Sequence, residues 1–370
     1  MHNNFQKDLV DILKERSAKG QISRRQLMQG FAALMGTSAI GLGATPARAE
    51  DGRLVFVNWG GDALDAMDAA FGKPFAEETG IKVFYDGSGP TEGAITAQVQ
   101  GGRPTWDLVD AEPFSAQALG RKGMMQPIDY DIVDPAKQRE GFQWEYSSSC
   151  YFYSYVIAYD ATKYDTPPTS LADFFDVEKF PGKRSMYKWG AGMWEAALLA
   201  DGVAPADLYP LDLDRAHAKI EAFKEHIGAF WGGGAESQSL LLNGDVSMAL
   251  IWNTRAGLLH KDTEGEITFT WDGGIIGPGG IGVLKDNPGG TEAAMKYIAA
   301  TQEPERQVVL FEMLGNGPSN PAADALIAEE DRWLNPMDPA NLPKQVALNT
   351  DWYEENYSAA LDAYLQIISA

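Results

Sequence analysis

The stretch LVFVNWGGDALDAMDAAFGKPFAEETGIKVFYD, residues 54–86, decides the fold class. Leu54–Asn58 is a short run rich in branched apolar residues and reads as a strand. Met67, Phe71 and Phe75 then recur every four residues, which places them on one face of a helix. Pro74 lacks the amide that a helix interior needs, so it predicts a kink. Gly80 ends the helix. Ile81–Tyr85 is a second strand, and Asp107–Asp110 a third. Strand, helix and strand in succession imply a parallel sheet with helices on both faces.

Working outward, Ser154–Tyr159 is a fourth strong strand. The alternation then restarts. Thr169 and Ser170 cap a helix, and Arg184–Lys188 is a strand. Met193–Ala200 and Asp214–His226 are helices, and Val246–Trp252 is a strand. Thr268–Trp271 and Gly282–Leu284 read as two further short strands. Residues 290–314 are mostly helical with a break near Pro304, and the tail from about Asn341 is helical. No low-complexity linker separates the halves, so the domains are joined by crossing strands, placed at 154–160 and 282–286.

At 370 residues the chain is long for one core, and two domains are the natural expectation. A formal charge of -22 makes nucleic acid and anionic membrane surfaces poor partners. Cys150 is the single cysteine, which excludes an intramolecular disulfide and a cysteine-based metal site and fits a small buried hydrophobe. The histidines, at 2, 217, 226 and 260, show no metal-ligand spacing, and nothing implies a cofactor.

The first 49 residues read as an address. Ser23 precedes the pair Arg24-Arg25, a weakly apolar run follows over residues 30–44, and Ala47-Arg48-Ala49 supplies a small-x-small cleavage site. The apolar run is too short for a membrane span. The combination resembles a twin-arginine export signal cleaved after Ala49. Its seven basic and three acidic residues leave with it, taking the formal charge from -22 to -26. The expected product is periplasmic.

Gly277-Pro278-Gly279-Gly280-Ile281-Gly282 matches the spacing of a dinucleotide fingerprint, but it leads into a strand and turn rather than a helix. It reads as a flexible turn beside a domain crossing. Trp59, Trp189, Trp252 and Trp271 sit at strand ends, where α/β sheets bind ligands and where an aromatic face attracts an ammonium. Asp110 and Glu112 after the third strand, and Arg255 in SMALIWNTRAG (247–257), add charges at similar positions. Tyr151, Tyr153 and Tyr155 alternate along a strand and share one face, which reads as packing rather than as ferric ligands.

Several stretches together resemble the polyamine-binding family of bacterial ABC-importer solute-binding proteins. They are Val57-Asn58-Trp59, Glu78–Val83, Trp106–Val109, Gly123–Asp129, Phe180–Lys183, Leu242–Val246 and Trp252. The resemblance implies an α/β, two-lobed periplasmic-binding-protein fold of type II, each lobe a mixed sheet flanked by helices, with the ligand cleft between lobes. Residues 50–157 plus 284–335 form one lobe, and 158–283 plus 336–370 the other. It implies no catalysis. A monomer captures a small-molecule solute and hands it to an ABC permease in the inner membrane. The implied ligand contacts are Trp59, Asp110, Glu112, Trp189, Trp252, Arg255 and Trp271.

The departures are specific. Where that family has Ser-Asp-Tyr after the first tryptophan, this chain has Gly60-Gly61-Asp62. Where it has an acid three residues after the later tryptophan, this chain has Arg255, and a second family acid falls near Gly280. An arginine beside a protonated amine in a dry cleft is costly unless paired, whereas a carboxylate there gains a charge-assisted bond. The expected solute is therefore a zwitterion such as 4-aminobutyrate or a related amino acid, with putrescine or spermidine as the alternative.

Overall fold

The computed structural model describes residues 52–369. The twin-arginine signal and the cleavage site after Ala49 lie outside the described residues. The strands are β1 (Arg53–Val57), β2 (Lys82–Asp86), β3 (Leu108–Asp110), β4 (Met125–Gln126), β5 (Ser148–Asp160), β6 (Arg184–Tyr187), β7 (Ile227–Trp231), β8 (Met248–Trp252), β9 (Ile267–Leu284), β10 (Gly317–Pro318) and β11 (Gln345–Ala347). They form one mixed sheet in the order β2-β1-β3-β9-β5-β8-β6-β7, with β4 and β11 added to β9 and β10 to β5. β1 pairs in parallel with β2 and β3, and β6 in parallel with β7 and β8. Both wings thus carry the parallel pairing that strand-helix-strand succession requires. Between them, β9 runs antiparallel to β3 and β5, and β5 antiparallel to β8.

The first helix begins over Ala63–Met67, passes through a π-type turn at Asp68–Gly72 and continues over Lys73–Thr79. Met67, Phe71 and Phe75 are buried, as their spacing demands. The kink expected at Pro74 takes the form of the π-type turn. Pro74 has no amide to offer the preceding turn, and wider pairing absorbs the loss. Gly80, at φ 76°, closes the helix with its N–H on the Ala76 carbonyl at 2.9 Å.

The centre of the sheet departs from the sequence expectation. Two short strands around a flexible glycine turn are instead one strand, β9, of 18 residues. Residues 282–284 are the far end of β9, paired with β3 and β4. The glycines have a packing reason. Across from them on β5, Tyr153 faces Gly277, Tyr151 faces Gly279 and Ser149 faces Gly280. A β-carbon on Gly279 would sit 2.2 Å from the Tyr151 ring, and one on Gly280 would sit 2.2 Å from Ser147 Oγ. Glycine in a strand marks such a close approach. β5 is likewise longer than expected, 13 residues, and starts at Ser148 because its tyrosines need this bare surface to lie on.

The tail is not helical from Asn341. β11 pairs with β9 first, and the last helix runs over Thr350–Ser369. β7 and the helices Glu92–Gln100, Pro113–Arg121 and Gly234–Leu242 are additional to the sequence expectation, and the first and last of these helices carry little periodicity. Cys150 is buried, as expected. Among the described residues no helix is long and apolar enough to cross a membrane.

Because a β-carbon at Gly279 has no room, Gly279→Ala is expected to destabilise the ligand-free protein by about 1–3 kcal/mol, the usual range for overpacking. Urea denaturation of parent and variant measures this, and an unchanged midpoint would contradict the packing role given to the motif.

Candidate functional site

A cavity of about 50 Å³ lies where β1, β3, β5, β8 and β9 come together. Its wall includes Trp59, Asp110, Glu112, Tyr151, Tyr153, Trp252, Thr254 and Arg255, with Ala63, Met67 and Leu314 as apolar lining. The residues proposed from sequence divide cleanly. Trp59, Asp110, Glu112, Trp252 and Arg255 line this one cavity, and Trp189 and Trp271 do not.

The reasons for that division are local. Trp59 follows β1, Asp110 ends β3, and Trp252 ends β8, so each is carried to the carboxyl end of a strand. Trp189 also follows a strand, β6, but its indole N–H turns to the Gly232 carbonyl at 3.2 Å and Lys188 covers its ring at 5.3 Å. Trp271 stands at a strand end only if β9 stops there. Because β9 continues, Trp271 is buried, with its N–H on the Trp333 carbonyl at 2.9 Å and its ring edge-on to Phe269.

Arg255 lies in the first turn of the helix Asn253–Asp262, for which Trp252 is the N-cap. Asn253 fixes that helix start: its side chain accepts from the Ser154 amide at 2.8 Å and donates to the Gly315 carbonyl at 2.8 Å. The guanidinium is not in a solvated loop. The residue is only 2% exposed. Its Nη2 donates to the Gly60 carbonyl at 3.1 Å, and its Nη1 is 3.6 Å from the Asp62 carboxylate. Nε and Nη1 are buried and make no hydrogen bond. Gly234 leaves the passage for this side chain, since a β-carbon there would be 2.3 Å from Nε.

Two departures from the polyamine pattern therefore meet in space. Gly60 and Gly61 hold φ of 74° and 65°, which turns the chain after β1 toward Arg255. A β-carbon on Gly60 would lie 2.9 Å from the Gly87 carbonyl, so the position takes glycine for steric reasons too. Gly280, which aligns with a family acid, has its β-carbon space filled by Ser147 and cannot supply a carboxylate.

The acids occupy another part of the wall. Asp110 Oδ1 accepts from the Tyr151 hydroxyl at 2.6 Å, and its main-chain carbonyl takes the Trp59 indole N–H at 3.1 Å. Burial pushes Asp110 up to about 7, against the pull of the Tyr151 hydrogen bond. Glu112 keeps a solvent-touching edge, yet protein surrounds its carboxyl on most sides. That burial, with the charges of Asp110 and Glu92, also pushes it up to about 7. Arg255 forms no ion pair with either acid, its partner being Asp62. Burial lowers the Arg255 pKa while Asp62 and Tyr151 raise it.

Sequence reasoning missed Tyr151 and Tyr153 as lining residues. The signal was present: Tyr-x-Tyr-x-Tyr on one strand and a glycine-rich run to lie across it. Trp59, Trp252 and Tyr153 complete an aromatic wall, with ring centroids 6.3 Å apart for Trp59–Trp252 and 6.4 Å for Tyr153–Trp252. Among the described residues no group of three or more His, Cys, Asp or Glu is placed to hold a metal ion.

Residues 70–339 match the family described as "Bacterial extracellular solute-binding protein". The chain belongs to this family. As a solute-binding protein it binds a ligand and performs no catalysis. The gamma-aminobutyric acid-binding protein of Pseudomonas aeruginosa is 32% identical over 319 residues, 85% of this chain and 90% of that one. A solved structure of a GABA receptor is 34% identical, covers 85% of this chain and 97% of its own, and superposes with a TM-score of 0.77. An ABC transporter substrate-binding protein from Bradyrhizobium japonicum is also 34% identical, covering 85% and 99%, at a TM-score of 0.78. The match establishes the mixed α/β, two-lobed fold for the solute-binding protein.

The two raised carboxyls carry a pH signature. Free aspartate and glutamate titrate near 3.9 and 4.3, so between about 4 and 7 the folded, ligand-free protein holds protons at Asp110 and Glu112 that the unfolded chain has released. More protons on the folded state means that stability falls as pH rises through this window. Thermal melts from pH 4.5 to 7.5 are expected to show the parent losing stability relative to Asp110→Asn/Glu112→Gln. Parallel profiles would contradict it.

Proposed function

We propose that this protein captures a small zwitterion with a separated ammonium and carboxylate, 4-aminobutyrate fitting best, and delivers it from the periplasm to the membrane permease of an ABC importer. One observation carries the reading. Arg255 lines a cavity whose wall elsewhere holds Asp110 and Glu112, and its buried guanidinium is held only by the Gly60 carbonyl and by Asp62 at 3.6 Å, with no hydrogen bond at Nε or Nη1. A buried guanidinium so partly compensated is costly, and a ligand carboxylate relieves that cost through charge-assisted bonds. The first-turn amides of the helix at Asn253 add donors of the same sense, since the opening N–H groups of a helix have no partner within it. Met67 and Leu314 line the space that ligand methylenes would cross. The names of the Pseudomonas relative and of the GABA receptor point to the same ligand.

In this reading β5 and β9 join the lobes. Their register shift, where Tyr155 opposes Ile275 and Ile157 opposes Thr270, is the hinge. Arg255, from the β8 side, grips Gly60 on the β1 side, so a ligand carboxylate on the same guanidinium stabilises closure by its differential affinity. The twin-arginine leader brings the chain to the periplasm, where it acts as a monomer.

Putrescine and spermidine are the competing solutes, because the acids and aromatic faces alone would suit a diamine. Calorimetric titration separates them. The parent is expected to bind 4-aminobutyrate, and Arg255→Gln to raise its Kd at least about 100-fold, the worth of about two charge-assisted bonds. Tight putrescine binding that survives Arg255→Asp, with no amino-acid binding by the parent, would sink the zwitterion reading.

A further inference from the structure

The cavity offers two carboxylates to one ammonium, and their surroundings differ. Asp110 is already engaged: Oδ1 holds the Tyr151 hydroxyl at 2.6 Å and the main-chain oxygen holds the Trp59 indole at 3.1 Å. Both partners are themselves cavity walls. Glu112 is in a different position. Among the described residues no side-chain donor bonds its carboxyl, which is steadied only by its own main-chain N–H. It is nonetheless close enough to act electrostatically on five tyrosines, Tyr151, Tyr153, Tyr155, Tyr187 and Tyr357.

Three of those tyrosines have a common peculiarity. The hydroxyls of Tyr153, Tyr155 and Tyr187 are fully buried without a well-formed hydrogen bond, that of Tyr155 lying near the Tyr153 hydroxyl and the Trp252 indole. Native interiors rarely leave such groups unpaired, and each one costs stability. Tyr153 lines the cavity, while Tyr155 packs behind it with ring centroids 5.6 Å apart, and Tyr187 lies 5.6 Å behind Tyr155. Glu112 therefore shares the cavity wall with Tyr153, Trp59 and Trp252, and the Tyr153 hydroxyl has spare lone pairs.

We infer that Glu112, not Asp110, is the seat of the ligand's ammonium, that Tyr153 completes this seat, and that the seat selects a primary ammonium. Asp110 is a positioning residue that holds Tyr151 and Trp59 in the wall. The inference rests on the zwitterion reading above. A primary ammonium carries three N–H donors, enough for a carboxylate oxygen and hydroxyl oxygens together. A quaternary ammonium can use the aromatic faces but donates nothing, so it leaves Glu112 and the hydroxyls unpaired. Tyr155 acts through Tyr153 and the Trp252 indole, both of which its hydroxyl approaches.

The test is titration calorimetry on the parent, Glu112→Gln, Asp110→Asn, Tyr153→Phe and Tyr155→Phe, with 4-aminobutyrate and its N,N,N-trimethyl analogue as probes. Melting of each ligand-free variant is the control for folding. Glu112→Gln is expected to raise the Kd for 4-aminobutyrate at least about 100-fold, as loss of a charge-assisted pair. Asp110→Asn keeps an oxygen for Tyr151 and is expected to change it less than about tenfold. The parent is expected to prefer the primary amine by about 100-fold or more, and Tyr153→Phe to reduce that preference.

Tyr153→Phe should melt at or above the parent temperature while binding 4-aminobutyrate about 5- to 20-fold more weakly, because it deletes a hydroxyl left without a well-formed bond until ligand arrives, and Tyr155→Phe, which acts only through Tyr153, should weaken binding less. A merely structural hydroxyl would lower the melting temperature instead. Binding by the parent with Asp110→Asn the more damaging change, or with equal affinity for the trimethyl analogue, would overturn this assignment alone. No binding of 4-aminobutyrate by a folded parent would overturn the zwitterion reading and this assignment with it.

Discussion

The tyrosine face of β5 lies flat across the glycines of β9, and the rest of the molecule is arranged around that contact. Tyr151 on Gly279 leaves no volume for a side chain on the opposite strand, and at Gly277, across from Tyr153, Leu348 fills that volume. The pairing fixes the register of the two longest strands. It also turns a row of aromatic rings toward the place where β1, β3 and β8 end. Tyr151 then reaches Asp110 on β3, and Tyr153 and Tyr155 stand against Trp252 on β8. A β-carbon at Gly279 would shift the Tyr151 ring, and the ring would take a wall of the cavity with it.

On this frame the charges are deliberately kept apart. Arg255 comes from the helix after β8 and is steadied by the loop after β1. Asp110 and Glu112 come from β3 and the segment that follows it. Burial works against all three charged forms, lowering the arginine and raising the acids. None of them neutralises another, since the arginine pairs at 3.6 Å with Asp62, whose side chain is 58% exposed. Such an arrangement holds unfavourable electrostatic energy in the ligand-free protein.

The site was legible where strand ends decide it. Trp59, Asp110, Glu112, Trp252 and Arg255 follow directly from knowing where β1, β3 and β8 stop, and those stops are marked by short apolar runs. Trp271 shows the limit of that logic. Its strand continues past it because glycines that look like a turn are required by rings on a neighbouring strand, and nothing local reveals that demand. Trp189 does stand beyond a strand end, but a carbonyl on the next loop captures its indole. Tyr153 was legible as a residue sharing a face with Tyr151 and Tyr155. Whether that face is core or cavity depends on what lies opposite.

The sequence alone determined the alternation of strands and helices at the start of the described chain, the acidic charge, and the placing of Arg255 three residues after Trp252, because these depend only on local periodicity and residue identity. It also carried the likeness to importer solute-binding proteins. Tertiary structure alone decided that Gly60-Gly61-Asp62 and Arg255 are one feature, since residues 195 apart in the chain meet only when the sheet is assembled. It also decided that the glycine-rich run is a strand and that Glu112, unlike Asp110, is left without a side-chain partner. Those facts arise from packing between distant segments, where steric exclusion and burial act and where local propensity has no reach.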